Sequence, residues 1–237
     1  MIGRRLQTRG ERRATTGAGV RAALVGYVGL AVVDAVLAER GAVRWRRATK
    51  PLLMPLLAAH IALTGRSGGG DEAASDRSST ARGPVLVGLL AGGLGDTALL
   101  GRSHGAFATG LGSFLVGHLS YAVALARAGG WAGMRARPWI ALPAAGLVGA
   151  VATTLAPRAG ALRWPVVGYA GVIGAMATLA TGTRRPATAA GAWFFCVSDL
   201  MLAWQRFGPR PLPHSDAVVM ATYTAGQALI ARGLVES

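Results

Sequence analysis

AFATGLGSFLVGHLSYAVALAR, residues 106–127, runs from Ala106 to Ala126 without a formal charge. A helix rises ~1.5 Å per residue, so a run of this length crosses a hydrocarbon core of ~30 Å. The run is too long and too continuously apolar for a barrel strand of ~10 alternating residues. Lipid offers no water to backbone N–H and C=O groups, so the remaining spanning structure is a helix. Outward from this segment, similar runs cover 20–38, 49–64, 84–100, 138–156, 163–181, 187–205 and 216–234. The second is short, with its lower boundary near Lys50. The expected fold class is all-α: a polytopic transmembrane helical bundle of about eight spans, forming a single domain over residues 20–237.

Composition agrees. Of the 237 residues, 52% are hydrophobic and 15% charged, and mean hydropathy is +0.41. A soluble domain carries roughly 25% charged residues. A net charge of +15 would suggest nucleic acid in a soluble protein, but its placement argues against that partner. Arg40, Arg44, Arg46, Arg47, Arg135, Arg137, Arg184 and Arg185 lie at span ends. Basic residues at such positions answer to orientation and to anionic head groups of the membrane lipids. Residues 1–19 read as a basic, disordered tail, and 65–83, GRSGGGDEAASDRSSTARG, as a flexible loop. The tail favours cytoplasmic termini in the plasma (inner) membrane, whereas the cluster from Arg40 to Lys50 pulls the other way. Cys196 is the sole cysteine, so no intrachain disulfide forms.

Two carboxylates fall inside apolar runs, Asp96 in GLLAGGLGDTALL and Asp199 in AWFFCVSDLMLAW. An ionised group in hydrocarbon is costly and marks a candidate functional site. Gly88 and Gly92 precede Asp96 at a period of four, which puts Asp96 on a close-packed, protein-facing surface. The fourth span carries Gly110, Phe114, Gly117, His118 and Tyr121 on one face. The seventh carries Phe195, Ser198, Asp199, Leu202 and Gln205 on a broader one. Tyr223 and Gln227 stack on the eighth, and Tyr169 lies on the sixth. Lys50, the only lysine, precedes Pro51, which suits a first helical turn. Asp34, beside Glu39 and Arg40, reads as a wet structural group. Trp45, Trp131, Trp139, Trp164 and Trp204 lie near span ends, as an interfacial belt does.

No P-loop, G-x-S-x-G or H-E-x-x-H is present, and a metal held by Asp96, His118 and Asp199 is a weak reading. From the residues alone, a membrane enzyme and a proton-coupled transporter with an Asp relay stand level. A lipid-binding scaffold is the third class.

Four segments, KPLLMPLL (50–57), GLLAGGLGDTALL (88–100), FATGLGSFLVGHLSYAVAL (107–125) and GAWFFCVSDLMLAWQRF (191–207), with TYTAGQALI (222–230) at the end, resemble in order the signature segments of the YhhN-like lysoplasmalogenase family. Gln205 stands where that family often has Asn. The resemblance implies an integral membrane hydrolase. Its substrate would be the vinyl ether bond of a lysoplasmalogen or related lysolipid, and its products a fatty aldehyde and glycerophosphocholine or glycerophosphoethanolamine. The positions it marks are Lys50, Asp96, His118, Tyr121, Ser198, Asp199, Tyr223 and Gln227. Vinyl ether hydrolysis needs a protonated acid and an ionised group. Asp96 and Asp199 are the expected catalytic pair, one neutral and one charged, with no cofactor required. Tyr121, Tyr223, Ser198 and Gln227 would orient water or the leaving oxygen, and Lys50 would hold the lipid phosphate.

Overall fold

The computed structural model describes residues 2–67, 72–101 and 103–236. Among them every regular element is a helix. In order these are α1 (Ile2–Glu39), α2 (Val43–Ser67), α3 (Glu72–Ala98), α4 (His104–Leu125), the short α5 (Trp131–Ala136), α6 (Leu142–Thr154), α7 (Arg163–Gly182), α8 (Pro186–Phe207) and α9 (Ser215–Val235). Each of the eight expected spans has its helix. Among the described residues, six helical stretches are long and apolar enough to cross a membrane: Gly17–Glu39, Gly105–Ala136, Pro138–Arg158, Gly160–Gly182, Pro186–Phe207 and Ser215–Val235. The two that fall short of that measure, α2 and α3, are those bearing Lys50 and Asp96. The chain is a multi-pass integral membrane protein.

Local chemistry sets the helix ends. Ser103 caps α4 by accepting a hydrogen bond from the Ala106 N–H at 3.0 Å, which satisfies one orphan donor of the first turn. Pro186 occupies the start of α8, where a missing N–H costs nothing. Gly41, at φ +63°, closes α1, and the Gly41 and Ala42 N–H groups return to the Ala38 and Leu37 carbonyls.

Three expectations need correction. Composition suggests no regular structure for the tail and the 65–83 loop. Instead α1 begins at Ile2, α2 runs to Ser67 and α3 starts at Glu72. Glycines are concentrated at 68–70, and the stretch EAASDRSSTAR, residues 72–82, contains several good helix formers; residues 68–71 lie outside the described residues. α2 begins at Val43, so Pro51 and Pro55 are inside the helix. Lys50 then sits about two turns in and is drawn into the bundle. Asp34 is fully buried, not wet. Thr49 Oγ1 donates to it at 2.6 Å and Arg46 Nη2 pairs with it at 3.3 Å, tying α1 to α2.

α1 to α4 pack in sequence, as do α6 to α9, while α4 packs on α7 and α1 also meets α9, drawing the first and last helices together. Tyr27 on α1 donates to the Thr224 carbonyl of α9 at 2.7 Å. The α3–α4 contact follows the expected small-residue logic. A Cβ at Gly88 would meet the Tyr121 ring at 2.8 Å, and one at Gly95 would meet the Phe114 ring at 2.8 Å. Glycine on α3 thus seats the aromatic rings of α4. α8 and α9 approach through Gly191 and Gly226, each of which faces the other's carbonyl oxygen at 3.0 Å or less from a would-be Cβ. Trp45, Trp131, Trp139 and Trp164 are exposed on the outside, consistent with a belt.

Candidate active site

The close packing of α3 and α4 against α9, and of α8 against α9, gathers most of the expected polar residues into two clusters. The first surrounds Asp96, which is 2% exposed. Lys50 Nζ from α2 lies 3.1 Å from Asp96 Oδ1, and the Tyr223 hydroxyl from α9 donates to Oδ2 at 2.8 Å. Gln227, one turn along α9, donates to the Tyr223 oxygen at 3.3 Å. Its own carbonyl accepts from the Tyr121 hydroxyl of α4. Gly92 makes room for this chain: a Cβ there would lie 2.8 Å from Gln227 Nε2 and 3.1 Å from the Tyr223 oxygen. Both carboxylate oxygens of Asp96 are therefore occupied. Lys50, expected to hold a lipid phosphate, has its ammonium buried and paired with Asp96.

The second cluster surrounds Asp199 on α8. His118 Nε2 from α4 and the Tyr169 hydroxyl from α7 both lie 3.1 Å from Asp199 Oδ2. His118 Nε2 also lies 3.1 Å from the Tyr169 oxygen, and His118 Nδ1 is buried without a partner among the described residues. Asp199 Oδ1 has no hydrogen-bond partner among the described residues, and the side chain is 11% exposed.

That exposure opens into a cavity between α4, α6, α7 and α8, with about 890 Å³ of empty space when the open solvent at its mouth is included. Its wall is almost wholly apolar, with Phe107, Phe114, Val151 and Ile173 among its residues. The polar side chains on it include Asp199, Tyr169 and, at one end, Arg206. Asp96 is not on the wall. The two carboxylates are separated by aromatic packing, in which Phe195 stands edge-on to His118 with ring centres 4.7 Å apart and edge-on to Tyr223 at 5.3 Å. The two aspartates thus have separate partner sets instead of a common one.

Ser198 and Gln205 stand apart from both clusters. The Ser198 hydroxyl donates to the Val219 carbonyl at 3.3 Å. Gln205 Nε2 donates to Ser215 Oγ at 2.8 Å and Asp216 Oδ1 at 2.9 Å. The two are seven residues apart and share the α8 face that meets α9, about 100° from Asp199. Tyr169 enters the site although its own span signals only its presence. Arg206 reaches the cavity with one sequence cue, its position seven residues after Asp199. No group of three or more His, Cys, Asp or Glu side chains suited to a metal converges among the described residues.

The sequence model of the YhhN family matches residues 45–234, which include every residue of both clusters. The chain is similar to lysoplasmalogenase TMEM86A of Homo sapiens, 34% identical over 164 residues, 65% of each chain. It is likewise similar to lysoplasmalogenase TMEM86A of Bos taurus, 33% identical over 164 residues and 65% of each. Lysoplasmalogenase TMEM86B of Homo sapiens is 40% identical over 74 residues, 31% of each. The aligned region spans just under two thirds of the TMEM86A proteins. No solved structure matches. With the family match covering α2 through nearly all of α9, the chain belongs to the YhhN family.

Proposed function

We propose that the protein hydrolyses the vinyl ether bond of a lysoplasmalogen or a related lysolipid, with Asp199 acting from the cavity wall. The relatives bear the name lysoplasmalogenase, and the cavity suits one aliphatic chain with a polar end. The observation that carries the reading is the asymmetry of Asp199. One oxygen is held by His118 and Tyr169, while the other has no partner beside an apolar cavity.

The chemistry stems from that free oxygen. Protonated Asp199 gives its proton to the vinylic carbon that does not bear oxygen. The alkene electron pair forms the new C–H bond, leaving an oxocarbenium ion at the carbon bonded to oxygen. Ionised Asp199, beside the cation, stabilises it and takes a proton from the water that adds there. The resulting hemiacetal collapses as its hydroxyl loses a proton, the C–O bond to glycerol breaks, and the glycerol oxygen gains a proton. One water is consumed, aldehyde and glycerophospho-alcohol leave, and Asp199 regains its proton. The route consists of proton transfers, addition of water and cleavage of one C–O bond, with no net oxidation or reduction, so it calls for no cofactor. His118 and Tyr169 fix the carboxyl plane. Lys50, Asp96, Tyr223, Gln227 and Tyr121 act as positioning residues by bracing Phe195, which backs His118.

Purified protein given a lysoplasmalogen is expected to release fatty aldehyde and glycerophospho-head-group in equal amounts. Recovery of intact lipid, or gradient-driven uptake of solute into proteoliposomes without covalent change, would favour the transporter instead. From the basic residues that precede the first span we infer that both termini lie on the cytoplasmic side of the plasma membrane. A cysteine introduced at Arg44 should then react with an impermeant maleimide added outside intact cells. Protection there, with labelling only after lysis, would reverse the orientation.

A further inference from the structure

From the polar end of the cavity we infer that Arg206 and Phe107 form the subsite for the phosphate of the lipid substrate, an inference that rests on the hydrolase reading for the identity of that lipid. Arg206 is the cationic side chain on the cavity wall. It forms no ion pair among the described residues. Its guanidinium lies 5.4 Å from the centre of the Phe107 ring, and Phe107 lines the same cavity. An arginine stacked on an aromatic face keeps its N–H edge free for a planar, bidentate acceptor such as phosphate.

Spacing supports the assignment. Asp199, Leu202, Ala203 and Arg206 all line the cavity, and their offsets of three, four and seven form one stripe of α8. Seven residues advance ~10 Å along the helix and return within ~20° of the same face. In an extended 1-alkenyl-glycerophosphate, seven bonds separate phosphorus from the carbon to be protonated. At bond lengths of ~1.5 Å their zigzag spans ~9 Å. A lipid whose vinyl ether reaches Asp199 therefore carries its phosphate to the level of Arg206. Beyond Arg206 the helix ends at Phe207, and residues 209–214 are exposed, so the head group would emerge toward water. The α8 carbonyl end repels an anion, which makes a cation necessary at this place.

The assignment can be tested without turnover, by measuring affinity for two non-cleavable ligands, a 1-O-alkyl lysophospholipid and a 1-O-alkylglycerol that lacks phosphate. Wild type should prefer the phosphorylated ligand by about 10–100-fold, the scale of charged hydrogen bonds. Arg206→Gln should lose that preference and Arg206→Lys retain part of it, with thermal midpoints reported for both. Undiminished preference in Arg206→Gln would overturn the subsite and leave Arg206 as a last-turn charge that serves only the helix. A thermal shift with inorganic phosphate alone as large as with the lysophospholipid would also overturn it, in favour of a free-anion site. Arg206-dependent preference in a protein that releases no aldehyde from a lysoplasmalogen would preserve the phosphate subsite while refuting the hydrolase.

Discussion

Asp199→Asn is expected to lower turnover on a lysoplasmalogen by about 10²–10⁴-fold, the usual contribution of a positioned general acid and base. The substitution nearly preserves shape. The Asn carbonyl oxygen can take the place of Asp199 Oδ2, 3.1 Å from His118 Nε2 and from the Tyr169 hydroxyl. Its amide, however, has no proton acidic enough to give to carbon. Thermal midpoint and affinity for a non-cleavable alkyl lysolipid should therefore stay near wild type while aldehyde release falls. A folded Asn variant that keeps more than about a tenth of wild-type turnover would remove Asp199 from proton transfer, since the loss then lies below that range.

Neutralising one member of the Lys50–Asp96 pair is expected to damage stability. The groups lie 3.1 Å apart and are both buried. Removing one partner strands the other charge, at a cost of about 3–5 kcal/mol, whereas replacing both is often close to neutral. Lys50→Met and Asp96→Asn should each lower the thermal midpoint in detergent strongly, and the double variant should recover most of it. Losses that simply add in the double variant would show that the two charges are not coupled. The stable double variant also reads the chemical role of Asp96. Turnover within about 10-fold of wild type fits a positioning residue acting through Tyr223 and Phe195, a smaller effect than the 10²–10⁴-fold of a lost acid–base group. A loss as deep as that of Asp199→Asn would bring Asp96 into the proton transfer and restore the two-carboxylate scheme.

The difference between these aspartates is invisible in the chain. Each interrupts an apolar helix, and helical periodicity shows only that each faces protein. Periodicity has the same limit on α8. It groups Ser198, Asp199 and Gln205 loosely on one broad polar face, yet the approach of α9 through Gly226 claims Ser198 and Gln205 and leaves Asp199 to the cavity. Lys50 shows the effect of a boundary. A helix beginning at Lys50 would hold it at the surface, whereas one beginning at Val43 carries it inward to Asp96.

The sequence by itself determined the helical class, the number and order of the long helices, the close-packed face of α3 and the burial of Asp96. These arise from backbone satisfaction in lipid and from a fixed rotation per residue, both local properties. Tertiary structure alone decided which charge met which partner, that Phe195 stands between the carboxylates, and that Arg206 shares a cavity with Asp199. Those outcomes depend on which helices lie side by side and at what depth. That information resides in contacts between residues as far apart as 81 positions for His118 and Asp199 and 127 for Asp96 and Tyr223.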